Sequence, residues 1–271
     1  MTTTALNFRI RTTKIVEQAG KWLVKTISEF GHFVVYLREV FSLAFKPPYR
    51  WHLIFSQAEF IGNQSLNIIL LTGFFTGAAF AISIGPFFQQ FKAESIMGAA
   101  TAISLARELA PIMTAFLLTG RAGSSMTAEI ATMKVNEQID AMEAMGVDPL
   151  SYLVVPRLLA SMFIMPFLCG VFIFIGILAA FVVGLFLFDV DTGIFFQKIT
   201  WLAKPNDVVL GLEKAFAFST VIATIACRNG LQASGGAKGV GLATTNSVVS
   251  TLLALLAVDY VITYIQLVVE P

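Results

Sequence analysis

The chain has 271 residues, of which 56% are hydrophobic, 12% aromatic and only 13% charged, with a mean hydropathy of +0.79 and a formal net charge of +1. That balance is wrong for soluble domains, and no basic run or aromatic-basic interleaving suggests nucleic-acid binding. It fits an all-α, polytopic membrane protein: a helical span needs about 20 apolar residues, and the 25 Phe fall within long charge-free runs.

The N-terminal MTTTALNFRIRTTK lacks the apolar core of a signal peptide and is short for a transit peptide. From Lys14 to Phe45 a helical repeat places Ile15, Ala19, Trp22, Leu23, Ile27, Phe30, Val34, Leu37, Phe41 and Ala44 on one stripe, with Lys14, Glu17, Lys21, Lys25 and Glu29 elsewhere on the wheel. Residues 1–48 therefore read as an amphipathic helix lying on the membrane, the alternative being a helix packed on a soluble partner. Pro47 and Pro48 stop it, and Tyr49, Arg50 and Trp51 read as an interfacial belt.

Residues 49–271 form the second region, with spans expected near 61–88, 95–133, 152–188, 208–228 and 240–269. The first carries Gly73 and Gly77 at the spacing that lets two helices approach closely. The second is apolar except for Arg107 and Glu108. These either pair with each other or with neighbours, or they face a polar cavity, and Pro111 should bend or restart the helix there. Between Arg157 and Asp189 the uncharged stretch amounts to about 46 Å of helix against a hydrocarbon layer of about 30 Å, so it must tilt, kink near Pro166 or overrun the layer. Asp189 to Asp207 reads as an amphipathic loop. The fourth span carries Glu213 and Lys214, a hinge at Gly235, Gly236, Gly239 and Gly241 turns the chain back, and Asp259 interrupts the fifth span. Basic residues, Arg9, Arg11, Lys14, Lys21 and Lys25 among them, concentrate on the N-terminal side. The positive-inside rule then makes the N-terminus cytoplasmic and, with five spans, the C-terminus external.

One stretch departs from this apolar background: EIATMKVNEQIDAMEAMGVDPLSYLVVP, Glu129 to Pro156. Asn136 is a candidate N-cap, Glu137 would fall in the first turn, and Gly146 followed by Pro149 ends a helix over 136–146. Glu137, Asp140 and Glu143 recur on one face, and Ile139, Met142 and Met145 on another. The helix is either a solvated loop element resting on its own protein or a docking helix for a cytoplasmic partner.

Catalytic chemistry is not expected. GGAKG at Gly235–Gly239 lacks the P-loop spacing, and no HExxH or Ser-His-Asp arrangement stands out. Cys169 and Cys227 sit in apolar surroundings and give no metal spacing, nor do His32 and His52. What remains is a transport subunit powered by another chain, an ion-coupled secondary transporter using Glu108, Glu213 or Asp259, or a membrane scaffold.

The run ARELAPIMTAFLLTGRAGSSMTAEIATMKVNEQIDAMEAMGVDPLSYLVVPRLLA, Ala106 to Ala160, closely resembles the signature region of MlaE/YrbE-type permeases of ABC transporters associated with MCE proteins. Weaker similarity covers the rest, including the Asp259-Tyr260 pair. The resemblance implies a permease homodimer in a bacterial inner membrane, two cytoplasmic ATPase subunits that carry ATP and Mg, a periplasmic ring of lipid-carrying MCE proteins, room for a small cytoplasmic accessory subunit, and phospholipid or a related lipid as cargo. It implies no cofactor bound by this chain. By position it makes Glu137, Gln138, Asp140, Ala141, Met142, Glu143 and Gly146 the ATPase-coupling helix. It places Glu108, with Arg107 and Pro111, on the lipid path, with Ala110 where relatives often have glycine.

Overall fold

The computed structural model describes residues 20–21, 24, 27–29, 31–47 and 49–269. Contacts divide the chain into two units, Met1–Pro48 and Tyr49–Pro271. In the first, residues 31–44 form helix α1, along which the Phe33 and Tyr36 rings stack at 6.5 Å. The expected apolar stripe also rests on Ile15, Ala19, Trp22, Leu23 and Phe30, which lie outside the described residues.

The second unit has five helices long and apolar enough to cross a membrane: α2 (Trp51–Gln90), α3 (Glu94–Val135), α5 (Leu150–Leu187), α7 (Pro205–Leu231) and α8 (Gly236–Val269). Two short helices complete it, α4 (Gln138–Ala144) after α3 and α6 (Thr192–Leu202) after α5. No strand occurs among the described residues. The chain is an all-α, multi-pass membrane protein.

α2 extends well past its expected span, starting ten residues earlier, while the other four long helices stay within four residues of theirs at each end. With its 40 residues α2 runs about 60 Å, twice the hydrocarbon thickness. Glu59, which bounds the charge-free run, lies on an exposed face within α2, because a helix longer than the layer can carry charge beyond it at no desolvation cost. The expected loop from Asp189 to Asp207 is mostly helix α6. Asp191 starts it, its Oδ1 accepting from Gly193 N at 2.9 Å and Ile194 N at 3.1 Å, as an N-cap should. Asp207 belongs to the first turn of α7.

The principal packing surface joins α2 to α5. The buried face of α2 includes Ile61, Ser65, Ile69, Gly73, Gly77, Ala81 and Gly85, a row stepping by four residues. On α5 the row Leu168, Phe172, Gly176, Ala180 and Gly184 steps the same way. Rows of this kind interlock as ridges in grooves, and small residues let backbones meet. A Cβ built on Gly77 would stand 2.2 Å from the Gly176 carbonyl oxygen, and one on Gly73 would stand 3.3 Å from that of Phe172. At one end of the bundle Phe195 of α6, 1% exposed, presses its ring on Gly98 of α3 and Gly184 of α5. At the other end Gly235 and Gly236, at φ +90° and +69°, reverse the chain into α8 through a conformation that suits glycine.

This packing makes Gly77 intolerant of a methyl group. Gly77→Ala should cost about 1–3 kcal/mol by overpacking and lower the thermal midpoint of the detergent-solubilised protein. Gly170→Ala, where a Cβ meets nothing within 4 Å, should leave the midpoint unchanged or raised. Equal midpoints for the two variants would contradict the close α2–α5 approach.

Candidate functional site

Two features of the bundle stand apart from plain apolar packing: charged side chains inside the long helices, and the exposed helix α4. The first originates in proline. In α3, residues Leu105–Leu109 form a wide π turn in which the Ala110 N–H bonds to the Leu105 carbonyl. Pro111 has no N–H to offer the Ala106 carbonyl in that register, and its ring would crowd an α-helical turn. Such wide turns recur at functional sites. The Ala106 carbonyl faces Gly211 of α7, where a Cβ would stand only 2.0 Å from the oxygen, so glycine at 211 is what allows α7 this close.

The same logic repeats at the start of α5. Residues Leu150–Val154 form a π turn with the Val155 N–H on the Leu150 carbonyl, and Pro156 cannot serve the Ser151 carbonyl. Arg50 serves it instead, Nη1 donating at 3.1 Å, while its guanidinium lies 5.1 Å from the centre of the Tyr152 ring. A third π turn, Thr119–Gly123, contains no proline; the Ser124 N–H there reaches both the Thr119 and Arg121 carbonyls.

The first wide turn carries Arg107 and Glu108, and they pair neither with each other nor with residues of their own helix. Arg107 Nε donates to Asp207 Oδ1 at 2.6 Å, and Asp207 Oδ2 accepts the Lys204 main-chain N–H at 2.8 Å. Glu108 Oε2 accepts from Lys214 Nζ at 2.6 Å, and Lys214 also donates to Thr263 Oγ1 at 2.7 Å. Asp259 Oδ1 lies 3.6 Å from the same ammonium, and that buried oxygen has no hydrogen-bond partner. Lys214 is fully buried, while the side chains of Glu108 and Arg107 remain 46% and 47% exposed. The cluster therefore ties α3, α7 and α8 together and presents one carboxylate and one guanidinium outward. At 1.5 Å per residue, Lys214 lies about 14 Å into α7.

Of the residues singled out from sequence, Arg107, Glu108 and Asp259 meet in this region and Pro111 shapes it, buried itself. Glu213 is exposed on another face of α7, and Gly73 and Gly77 lie on the α2–α5 contact. Lys214, Asp207 and Thr263 complete the cluster and were not foreseen. The available signal was balance: unpaired carboxylates on two spans call for a buried cation on a third.

Helix α4 is shorter than the expected 136–146 and starts differently. Asn136 ends α3, its N–H bonding to Thr132 O at 3.1 Å, and so does not cap α4. Glu137 takes the N-cap position at φ +58° rather than standing in the first turn, because the chain reverses within two residues. Of the three residues expected on one face, Ile139 is 2% exposed and Met142 half-buried, whereas Met145 is 72% exposed. Gln138, Ala141 and Glu143 are exposed; Asp140 is held by Lys134 Nζ at 2.6 Å. Gly146, at φ +76°, closes the helix, with its N–H on Glu143 O at 2.9 Å and the Val147 N–H on Met142 O at 3.0 Å, a Schellman arrangement. Asp148 then caps the next turn through Leu150 N and Ser151 N. Among the described residues no cluster of His, Cys, Asp and Glu is suited to a metal ion.

Five apolar helices, four of them crosslinked by ion pairs, with an exposed charged helix between the second and third, define a multi-pass membrane subunit with features of a permease. Comparison with known proteins specifies it: the family described as Permease MlaE matches residues 54–265. A protein of Rickettsia prowazekii named "Probable ABC transporter permease protein" is 37% identical over 250 residues, covering 92% of this chain and 96% of that one. A like-named protein of Synechocystis is 38% identical over 210 residues (78% and 80%), and one of the red alga Pyropia yezoensis 37% over 208 residues (77% and 79%). The chain belongs to the MlaE permease family and is an ABC transporter permease.

The cluster makes Lys214 the sensitive position. Lys214→Met strands two carboxylates and should destabilise the protein by roughly 3 kcal/mol. Adding Glu108→Gln and Asp259→Asn to it should recover most of that loss in chemical or thermal unfolding. A single variant as stable as wild type would contradict the central role of the ammonium.

Proposed function

We propose that this permease moves phospholipid, or a related lipid, between a bacterial inner membrane and the outer envelope, driven by ATP hydrolysed on a separate chain. Two copies of the chain form the transmembrane core. Two cytoplasmic ATPase subunits, which hold the ATP and Mg, dock on the two copies of α4, and a periplasmic ring of MCE-domain proteins receives or delivers the lipid. A small cytoplasmic accessory subunit completes the assembly. The N-terminus and α4 face the cytoplasm and the C-terminus faces the periplasm, in keeping with the basic N-terminal segment.

The observation that carries this reading is the pair of features at the two depths of α3. Near one end, α4 offers exposed Glu137, Glu143 and Met145 on a helix anchored through Ile139 and the Lys134–Asp140 pair, the form of a docking element. Within the span, Arg107 and Glu108 are half-exposed charges at a depth where charge is costly. Arg107 can receive a lipid phosphate and Glu108 a headgroup cation, with Pro111 holding the turn that presents both. Membership of an ABC permease family favours ATP-driven coupling over ion coupling at Glu108, Glu213 or Asp259. The same cluster is then a substrate contact and a brace.

Reversing the charge of α4 tests the coupling half of the proposal. Glu137→Lys combined with Glu143→Lys should leave the thermal midpoint within about a degree, since both side chains are solvent-exposed. It should lower co-purification of the ATPase and lipid-stimulated ATP hydrolysis roughly tenfold, the effect of about 1.4 kcal/mol. Wild-type association and turnover in this variant would remove α4 from the ATPase interface.

A further inference from the structure

α3 carries another charge inside the span, and neither the brace nor the docking helix uses it. Arg121 lies in the wide turn Thr119–Gly123, about 20 Å along the helix from Glu108 at 1.5 Å per residue. At 42 residues α3 is about 63 Å long, so a hydrocarbon layer of about 30 Å centred on it includes Arg121, close to the layer's inner edge on the α4 side. Nη1 donates to Phe60 O at 2.9 Å, Ile61 O at 3.4 Å and Ser65 Oγ at 2.9 Å, and Nη2 donates to Gln64 Oε1. The guanidinium also lies 4.8 Å from the centre of the Phe60 ring.

Every one of these partners is neutral. The other deep cations have carboxylates: Arg107 has Asp207, Arg157 has Glu129 at 2.8 Å, and Lys214 has Glu108 and Asp259. Arg121 has none among the described residues. A neutral donor could bond some of these oxygens without bringing a charge into the layer, where a charge is costly. The surroundings are polar on the open side, where Gln64, which accepts from Nη2, is exposed. Arg121 is itself only partly buried, which leaves the guanidinium approachable from the lipid. The anion a membrane supplies at this depth is the lipid phosphate, and the planar fork of an arginine matches it.

We propose that Arg121, flanked by Gln64 of α2, is a binding site for the phosphate of a phospholipid in the leaflet on the α4 side. It is separate from the Arg107–Glu108 turn and lies toward the opposite membrane face. The inference rests on the membrane-spanning placement of α3 and not on lipid transport. A phospholipid held at Arg121 by a chain that transports something else would support it while removing the proposed cargo.

Native mass spectrometry of the full chain, exchanged into phosphatidylglycerol or into diacylglycerol with the same acyl chains, tests it. Wild type should retain phosphatidylglycerol and not diacylglycerol. Measured in an Arg107→Gln background, so that the Arg107 turn holds no phosphate, Arg121→Gln should retain roughly tenfold less phosphatidylglycerol, as expected for losing charge-assisted hydrogen bonds, and Arg121→Lys should fall between. Millimolar inorganic phosphate should not displace the lipid; displacement would make the site one for free phosphate and overturn the lipid assignment. Equal retention by Arg121→Gln, or of diacylglycerol by wild type, would overturn the phosphate site. Two further measurements decide the matter even if Arg121→Gln fails to fold. Ser65→Ala weakens the staple but keeps the charge and Gln64 and should retain about half or more of the wild-type lipid, whereas loss as large as tenfold would make Arg121 a staple only. A phosphatidylglycerol with a photoreactive headgroup should label wild-type residues 57–65 and 117–125; labelling confined to other segments would contradict the site.

Discussion

Lys214 is the interaction on which the rest of the bundle depends. Moving an ammonium out of water costs several kcal/mol even after relaxation, and here the group is fully buried inside a membrane-spanning helix. It is tolerated because one carboxylate from α3, one from α8 and a hydroxyl from α8 converge on it. That convergence fixes the rotation of α3, α7 and α8 about their own axes. Apolar side chains against lipid cannot do this, since lipid tails are as apolar as the helix faces they compete with.

Two prolines set the geometry that makes the convergence possible. Pro111 and Pro156 each follow a wide turn by two residues, and each withholds an N–H from a carbonyl inside its own helix. At Ala106 the carbonyl meets Gly211, which draws α7 toward α3 three residues before Lys214. At Ser151 it meets Arg50, which ties the start of α2 to the chain just beyond α4. Backbone irregularity is tolerated at membrane depth where it is buried in protein, and here it joins separate helices. The α2–α5 contact works by the opposite means, through two rows of small side chains at four-residue steps that bring regular backbones together.

The five spans were readable from charge-free runs because burial in hydrocarbon leaves a strong compositional trace. The early start of α2, ten residues before Ile61, was not, since turns of helix outside the layer obey no apolar rule. Helix α6 went unread although Asp191 and Pro205 mark its limits by ordinary capping chemistry. The opposite error fell at Asn136, a good N-cap by residue type that instead closes α3. The reversal at Asn136–Glu137 depends on a positive φ at a glutamate, which no residue preference announces. Glu108 and Asp259 stood out as isolated charges, whereas their joint partner Lys214 was read only as a charge weakening a span. Pairing between spans has no periodicity along the chain. Spacing alone puts Met145 on one face with Ile139 and Met142, and the closing turn at Gly146 carries it into solvent instead.

The helix rotations therefore depend on the distance between Lys214 and its two acids in the membrane. Solid-state NMR on the chain reconstituted in phospholipid, with lysine Nζ labelled against side-chain carboxyl carbons, reads that distance directly. The result consistent with this structure is a dipolar contact to the Glu108 carboxyl carbon within about 4 Å, the range of a true ion pair, lost in Lys214→Met. A lysine Nζ with no carboxyl carbon nearer than about 6 Å would contradict the cluster and the helix rotations it fixes.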